Sequence, residues 1–368
     1  MRILVRPLAE LSDRFGASAL KDFNCGVNAA KISQTGIVVD HVLYLQPAYT
    51  RSGNHLYAEE MHYGAFSVSK TAGAAVALLR LARKYDDSVF DERIADYLQV
   101  TARHPGWDTV TFGETLSMAT GIGDTYPYRS SSVTFADEGN DGNPHWWEFN
   151  HSSFMAGRLA GAFSFRNYPW VPGEVMRYNS AHTMILAVAM DNYLKSREGP
   201  DTDPWRMLNE EVYQPIGIRW LPSMRPRINN TIPGPEPLGW GLLPNAHDIV
   251  RIAALHQNEG KFETHQLLHR QRTLEMMRQT QGSALHTAEK TQLITGSWVD
   301  TEYRDGAWSA HLQSSGGCTK LASRMEWLGR SFVVMLPSSI TLFRFADANV
   351  YDAGALIITG ERLYSSCP

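Results

Sequence analysis

Cysteine is scarce: Cys25, Cys318 and Cys367 are the only three in 368 residues. An odd number at such wide separations makes no disulfide framework, so stability has to come from a packed core. Positive charge is not in excess either. The 34 Lys and Arg stand against 38 Asp and Glu, for a net charge of −4, and no basic patch marks a nucleic-acid partner. Long apolar runs are missing as well. The stretch from Met184 to Met190 falls far short of the about 20 residues that a membrane helix needs, so no membrane partner is expected. The N-terminal apolar stretch is broken by Arg6, Pro7 and Glu10 and does not read as a secretory signal. The expected compartment is the cytoplasm, or the periplasm or exterior for a chain whose leader has been removed. No internal repeat or low-complexity tract is visible, and nothing in the composition fixes an oligomeric state.

What is present is ordinary globular material, 43% hydrophobic and 20% charged, enough to bury a large core. Residues 9–23 have Leu11, Phe15 and Leu20 on one side and predict an amphipathic helix. Ile37-Val-Val and Val42-Leu-Tyr-Leu predict strands, and the polar stretch 50–62 a loop. From Ser67 the residues turn small and apolar, which predicts a buried helix ending near Tyr85. Residues 86–235 show no strand-like alternation. They carry helical patterns near 90–103, 111–119, 151–162, 180–197 and 204–214, separated by Pro-, Gly- and Asn-rich loops. Later come a helix over 248–257, strands near 321–327, 331–336 and 340–345, and a closing helix over 349–364. The expected organisation is a sheet-bearing body, 1–85 and 236–368, interrupted by a mostly helical insertion, 86–235.

The first chemistry-bearing motif is Phe66-Ser67-Val68-Ser69-Lys70. Helical residues three apart share a face, so the hydroxyl and the amine meet at the start of the helix. A serine hydroxyl needs a base to become a nucleophile, and a lysine serves when its pKa is lowered towards neutrality. The helix N-terminus adds free N–H groups for a developing oxyanion. Ser-x-x-Lys arises by chance about once in a chain of this length, and a second match, Ser18-Ala-Leu-Lys21, reads as a surface coincidence. Ser67 differs because it follows an aromatic residue at the end of a loop and opens a buried helix. Elsewhere, His265 and His269 sit four apart on a predicted helix, without a third ligand. His145-Trp146-Trp147 and Trp170 fall in predicted loops, where they either wall a pocket over Ser67 or anchor those loops. Cys318 reads as structural.

Five blocks in series resemble the β-lactamase and penicillin-binding-protein superfamily, in particular its class C β-lactamase and family VIII esterase branch. They are Phe66-Ser-Val-Ser-Lys-Thr-Ala-Gly, Asp91-Glu-Arg-Ile-Ala-Asp-Tyr-Leu98, the segment from Val110 through Ala119-Thr-Gly121, Pro172-Gly-Glu-Val-Met-Arg-Tyr178-Asn-Ser180, and Leu238-Gly-Trp-Gly-Leu-Leu-Pro-Asn-Ala-His-Asp248. The resemblance implies an α+β fold, an antiparallel sheet flanked by helices with an inserted all-helical domain. It implies catalysis by Ser67, Lys70 and Tyr178, the phenol relaying protons. Ser180 stands where the family has Asn. For the third family motif the candidate is Ser314-Ser315-Gly316-Gly317, with Ser314 in place of the usual cation and the Gly317 N–H as oxyanion donor beside that of Ser67. The missing cation favours an ester or uncharged amide over a β-lactam. No cofactor or metal is implied, and the partner is a small-molecule substrate. Three readings stand: a carboxylesterase or amidase working through an acyl-enzyme; a β-lactamase or D,D-peptidase; and a sensor or inactive relative that does not turn over.

Overall fold

The computed structural model describes residues 3–50, 52–102, 105–123, 144–167, 171–278, 289–292, 298–313, 319–327, 331–348 and 353–364. Among them nine strands form one sheet: β1 (Leu4–Pro7), β2 (Ile32–Val39), β3 (Val42–Gln46), β4 (Glu289–Gln292), β5 (Trp298–Arg304), β6 (Ala307–Gln313), β7 (Thr319–Trp327), β8 (Ser331–Met335) and β9 (Thr341–Ala346). The strand order is β1-β3-β2-β9-β8-β7-β6-β5-β4. Every neighbouring pair is antiparallel except β1–β3, which is parallel, so the expected antiparallel sheet is mixed at one edge.

Strand side chains alternate between faces. Ile37, Val39, Tyr44, Phe332, Val334 and Leu342 share one cluster with Leu11 of α1 (Glu10–Phe15) and Leu356 and Ile357 of α7 (Gly354–Leu363). Leu43, Leu45, Val333, Met335, Phe343 and Phe345 belong to the cluster that holds α2 (Val76–Lys84). The central strand β8 is buried along its whole length, which is why its sequence reads as a continuous apolar run. At about 25 cal/mol per Å2 of apolar surface, two such layers supply most of the driving force for folding.

Residues 86–235 contribute no strand to this sheet among the described residues. They carry α3 (Pro144–His151), α4 (Met155–Ser164) and α5 (Ser180–Glu198) along with shorter helices. Helix α5 is buried on nearly every side, and α6 (Ala246–Gln257) packs against β8 and β9.

Several expectations are corrected. The helix expected over 9–23 stops at Phe15, because Gly16 takes a φ of +88°, and turns follow. The helix expected over 90–103 shrinks to Ile94–Tyr97. His145, Trp146 and Trp147 lie in α3, not in a loop. His265 lies in the two-residue strand His265–Gln266, and His269 precedes the helix Arg270–Arg278, so the two do not share a helix. Trp170 and Cys318 lie outside the described residues.

Candidate active site

The site begins with backbone strain. Phe66 has a φ of +47°, a conformation that a bulky side chain adopts only where its surroundings enforce it. Behind it the chain closes three tight turns, Val68 N–H to Ala65 O at 3.0 Å, Ser69 N–H to Phe66 O at 3.0 Å and Lys70 N–H to Ser67 O at 2.9 Å. Ser67 therefore opens the helix from a sharp corner. The next six residues, Lys70–Ala75, are π-helical before α2 proper begins at Val76. Their cause is visible. The Ala74 N–H leaves the helix and donates to Leu238 O at 3.2 Å, and it can do so because Gly73 has no side chain. A Cβ there would sit 2.8 Å from that same oxygen. Single π-turns of this kind cluster at functional sites.

The loop that supplies this carbonyl also supplies the next. Lys70 Nζ donates to Ser67 Oγ at 2.6 Å, to Ser180 Oγ at 2.8 Å and to Gly239 O at 3.4 Å. Gly239 can reach this position only because it lacks a Cβ, which would lie 1.8 Å from Thr183 Oγ1. Ser180 opens α5, whose first turn is capped by Asn179 Oδ1 accepting from the Ala181 N–H at 2.8 Å. The Lys70 ammonium nitrogen lies 4.7 Å from the centre of the Tyr178 ring, within cation–π range. Tyr178 is fixed by stacking on Trp308 of β6, ring centres 5.6 Å apart, and by an edge contact with Tyr303 of β5 at 5.7 Å. Ser67 is 4% exposed, Lys70 1%, Tyr178 4% and Ser180 7%. Segments far apart in the chain thus bring Ser67, Lys70, Tyr178 and Ser180 together. Ser314, Ser315, Gly316 and Gly317 lie outside the described residues.

A feature that the sequence reading passed over is the turn Asp305-Gly306. Arg304 pairs with Ala307 across it, and φ is +50° and +85° at its two residues, the geometry that Asp-Gly favours in a two-residue hairpin. Gly306 O accepts from Thr71 Oγ1 at 2.5 Å, and a Cβ on Gly306 would come within 3.2 Å of Lys70 O. Asp305 is buried and accepts from Ser117 Oγ at 3.0 Å; burial pushes its carboxyl above the usual range. Around the site, burial also drives Glu236 up to about 7 despite its pairing with Arg225. It drives the imidazole of His256 down to about 4, against a weaker contact with the Thr71 backbone.

Trp146 packs on Phe149, and Phe149 meets Trp240 edge-on at 5.5 Å. These aromatics tie α3 to the loop that carries Gly239. Arg177 is buried, its N–H bound to Met118 O at 2.9 Å. Ser18 and Lys21 lie exposed in a turn. Among the described residues no cluster of three His, Cys, Asp or Glu side chains could hold a metal ion, and no helix is long and apolar enough to cross a membrane.

No protein-family model matches the chain, and no curated protein matches it in sequence. Solved structures do. EstCE1, a hydrolase with promiscuous acyltransferase activity, is 14% identical with a TM-score of 0.61, covering 97% of this chain and 98% of its own. A D-stereospecific amidohydrolase from Streptomyces sp. is 13% identical with a TM-score of 0.57, covering 93% and 97%. A penicillin-binding protein homologue from Caulobacter crescentus is 15% identical with a TM-score of 0.57, covering 96% and 97%. With the mixed sheet, its flanking helices and a buried Ser-Lys-Tyr cluster already in place, these matches along nearly the whole chain give it the fold of the β-lactamase and penicillin-binding-protein superfamily.

Proposed function

We propose that this chain is a serine hydrolase that cleaves an ester or amide of a small molecule through an acyl-enzyme on Ser67. The observation that carries this reading is the buried contact of Lys70 Nζ with Ser67 Oγ at 2.6 Å. In the neutral form the amine accepts the Ser67 proton as Oγ attacks the substrate carbonyl. Tyr178, held over Lys70, passes a proton to the leaving oxygen or nitrogen as the tetrahedral species collapses. Water then attacks the acyl carbon, and the same groups work in reverse to release the acid. In this mechanism the Ser67 N–H at the helix start serves as a donor to the developing oxyanion. Two solved structures of this fold, a hydrolase with promiscuous acyltransferase activity and a D-stereospecific amidohydrolase, are in keeping with acyl transfer from an ester or amide.

The test is labelling with a fluorophosphonate, run beside a panel of p-nitrophenyl esters, anilides and a chromogenic β-lactam. Stoichiometric labelling that vanishes in Ser67→Ala, with turnover of esters or anilides, is expected. Labelling that persists in Ser67→Ala would overturn the assignment, and a single burst without turnover would mark a sensor.

A further inference from the structure

The geometry points to a second ligand site, remote from Ser67, that takes a small carboxylate with an apolar chain. A cavity of about 480 Å3 opens between the C-terminal half of α6, the β2–β3 turn and the β8–β9 turn. That volume lies in the range of small-molecule sites. Ser67, Lys70, Tyr178, Ser180 and Gly239 take no part in its wall. It instead borders Phe262, in the hairpin whose Gln266 carbonyl accepts from Arg83 at the far end of the nucleophile helix.

The lining divides by chemistry. Val38, Val250, Leu255 and Ile340 make an apolar floor. Two polar groups beside the β8–β9 turn are already engaged: Gln257 Nε2 donates to Ile340 O at 2.9 Å, and its Oε1 accepts from Thr341 Oγ1 at 2.9 Å. Asp40 is committed to Arg14 and to the Tyr364 hydroxyl, and Glu263 stands exposed at the rim. Two buried donor atoms of the lining have no partner. Arg251 makes no side-chain hydrogen bond or ion pair among the described residues, and its Nε is buried without a partner; Ser338 Oγ is likewise buried and unpartnered. A half-buried arginine whose Nε is buried without an acceptor, and a buried hydroxyl, lining a cavity whose acids are paired or at the rim, complement an anion that brings its own oxygens. The apolar floor selects a carboxylate that carries a hydrocarbon chain.

Octanoate is the probe, titrated calorimetrically into the full chain. It is expected to bind wild type and Ser67→Ala alike. Arg251→Gln should weaken binding by about tenfold or more, Arg251→Lys by less, and octanol should bind at least about tenfold more weakly than octanoate. Ala254→Trp, which fills the cavity and leaves Arg251 in place, should abolish binding; melting curves verify that each variant is folded. No binding at ~10 mM, equal binding by folded Arg251→Gln, or loss of binding in Ser67→Ala would each overturn the proposal.

Discussion

A serine hydroxyl keeps its proton in neutral water, so Ser67 can be a nucleophile only through what surrounds it. Its nearest functional neighbour is the Lys70 amine at 2.6 Å. Lys70→Met should abolish acylation while the melting curve stays close to wild type; an unchanged acylation rate would remove Lys70 as the base. Tyr178→Phe should slow turnover by about 10²–10⁴-fold, the usual cost of losing proton transfer, measured as kcat on an activated ester. A loss under about threefold would leave Tyr178 a packing residue on Trp308. These residues were legible in the sequence for different reasons. Ser67 and Lys70 announce themselves by spacing and by the small-residue helix behind them. Tyr178 was reachable only through the resemblance, since nothing local says that a tyrosine 108 residues beyond Lys70 folds back onto it. Ser180 had an uncertain role in the sequence, and in the fold it accepts from Lys70 Nζ at 2.8 Å.

At the scale of elements, the buried helix was legible and its π-turn was not. The run Thr71-Ala-Gly-Ala-Ala encodes close packing, but the oxygen that opens the turn belongs to Leu238, a contact without a local signature. Gly73→Ala tests its importance. The added methyl would lie 2.8 Å from Leu238 O, forcing the loop outward and drawing the Gly239 carbonyl from Lys70. A fall in kcat of about 10²-fold is expected, with a stability loss of about 1–3 kcal/mol; wild-type kcat in a folded variant would show that the π-turn does not position Lys70. The hairpin at Asp305-Gly306 did carry a local signal, the Asp-Gly pair, yet its strands escaped because residues 298–313 mix charged and aromatic side chains without clean alternation. Helix α3 escaped because His and Trp are indifferent helix formers and its run begins among turn residues. Its place was fixed by tertiary packing on Trp240.

For the whole molecule, the central strands could be read from their apolar runs, while the sheet order could not. The pairing of β2 with β9 and the parallel pairing of β1 with β3 join segments that share no local pattern. Buried titratable groups give the molecule a pH-dependent stability of definite sign. Glu236 titrates at about 7 in the fold against an ordinary 4.5. The native state then holds a proton that the unfolded chain has released, so this contribution is full below 4.5 and is lost as pH rises through 7. His256, at about 4 against an ordinary 6.5, acts oppositely: its contribution is full above 6.5 and is lost as pH falls through 4. Glu236→Gln removes the first effect. The melting temperature of this variant minus that of wild type should become more positive from about pH 5 to about pH 8, followed by calorimetry. A constant difference would contradict the shift.

The most direct measurement of the central claim is peptide-resolved mass spectrometry after a rapid quench with a slowly deacylating activated ester. An acyl adduct on the Ser67 peptide in wild type, absent from folded Lys70→Met, is the expected result. An adduct on another residue, or one that forms on Ser67 at the same rate without Lys70, would contradict it.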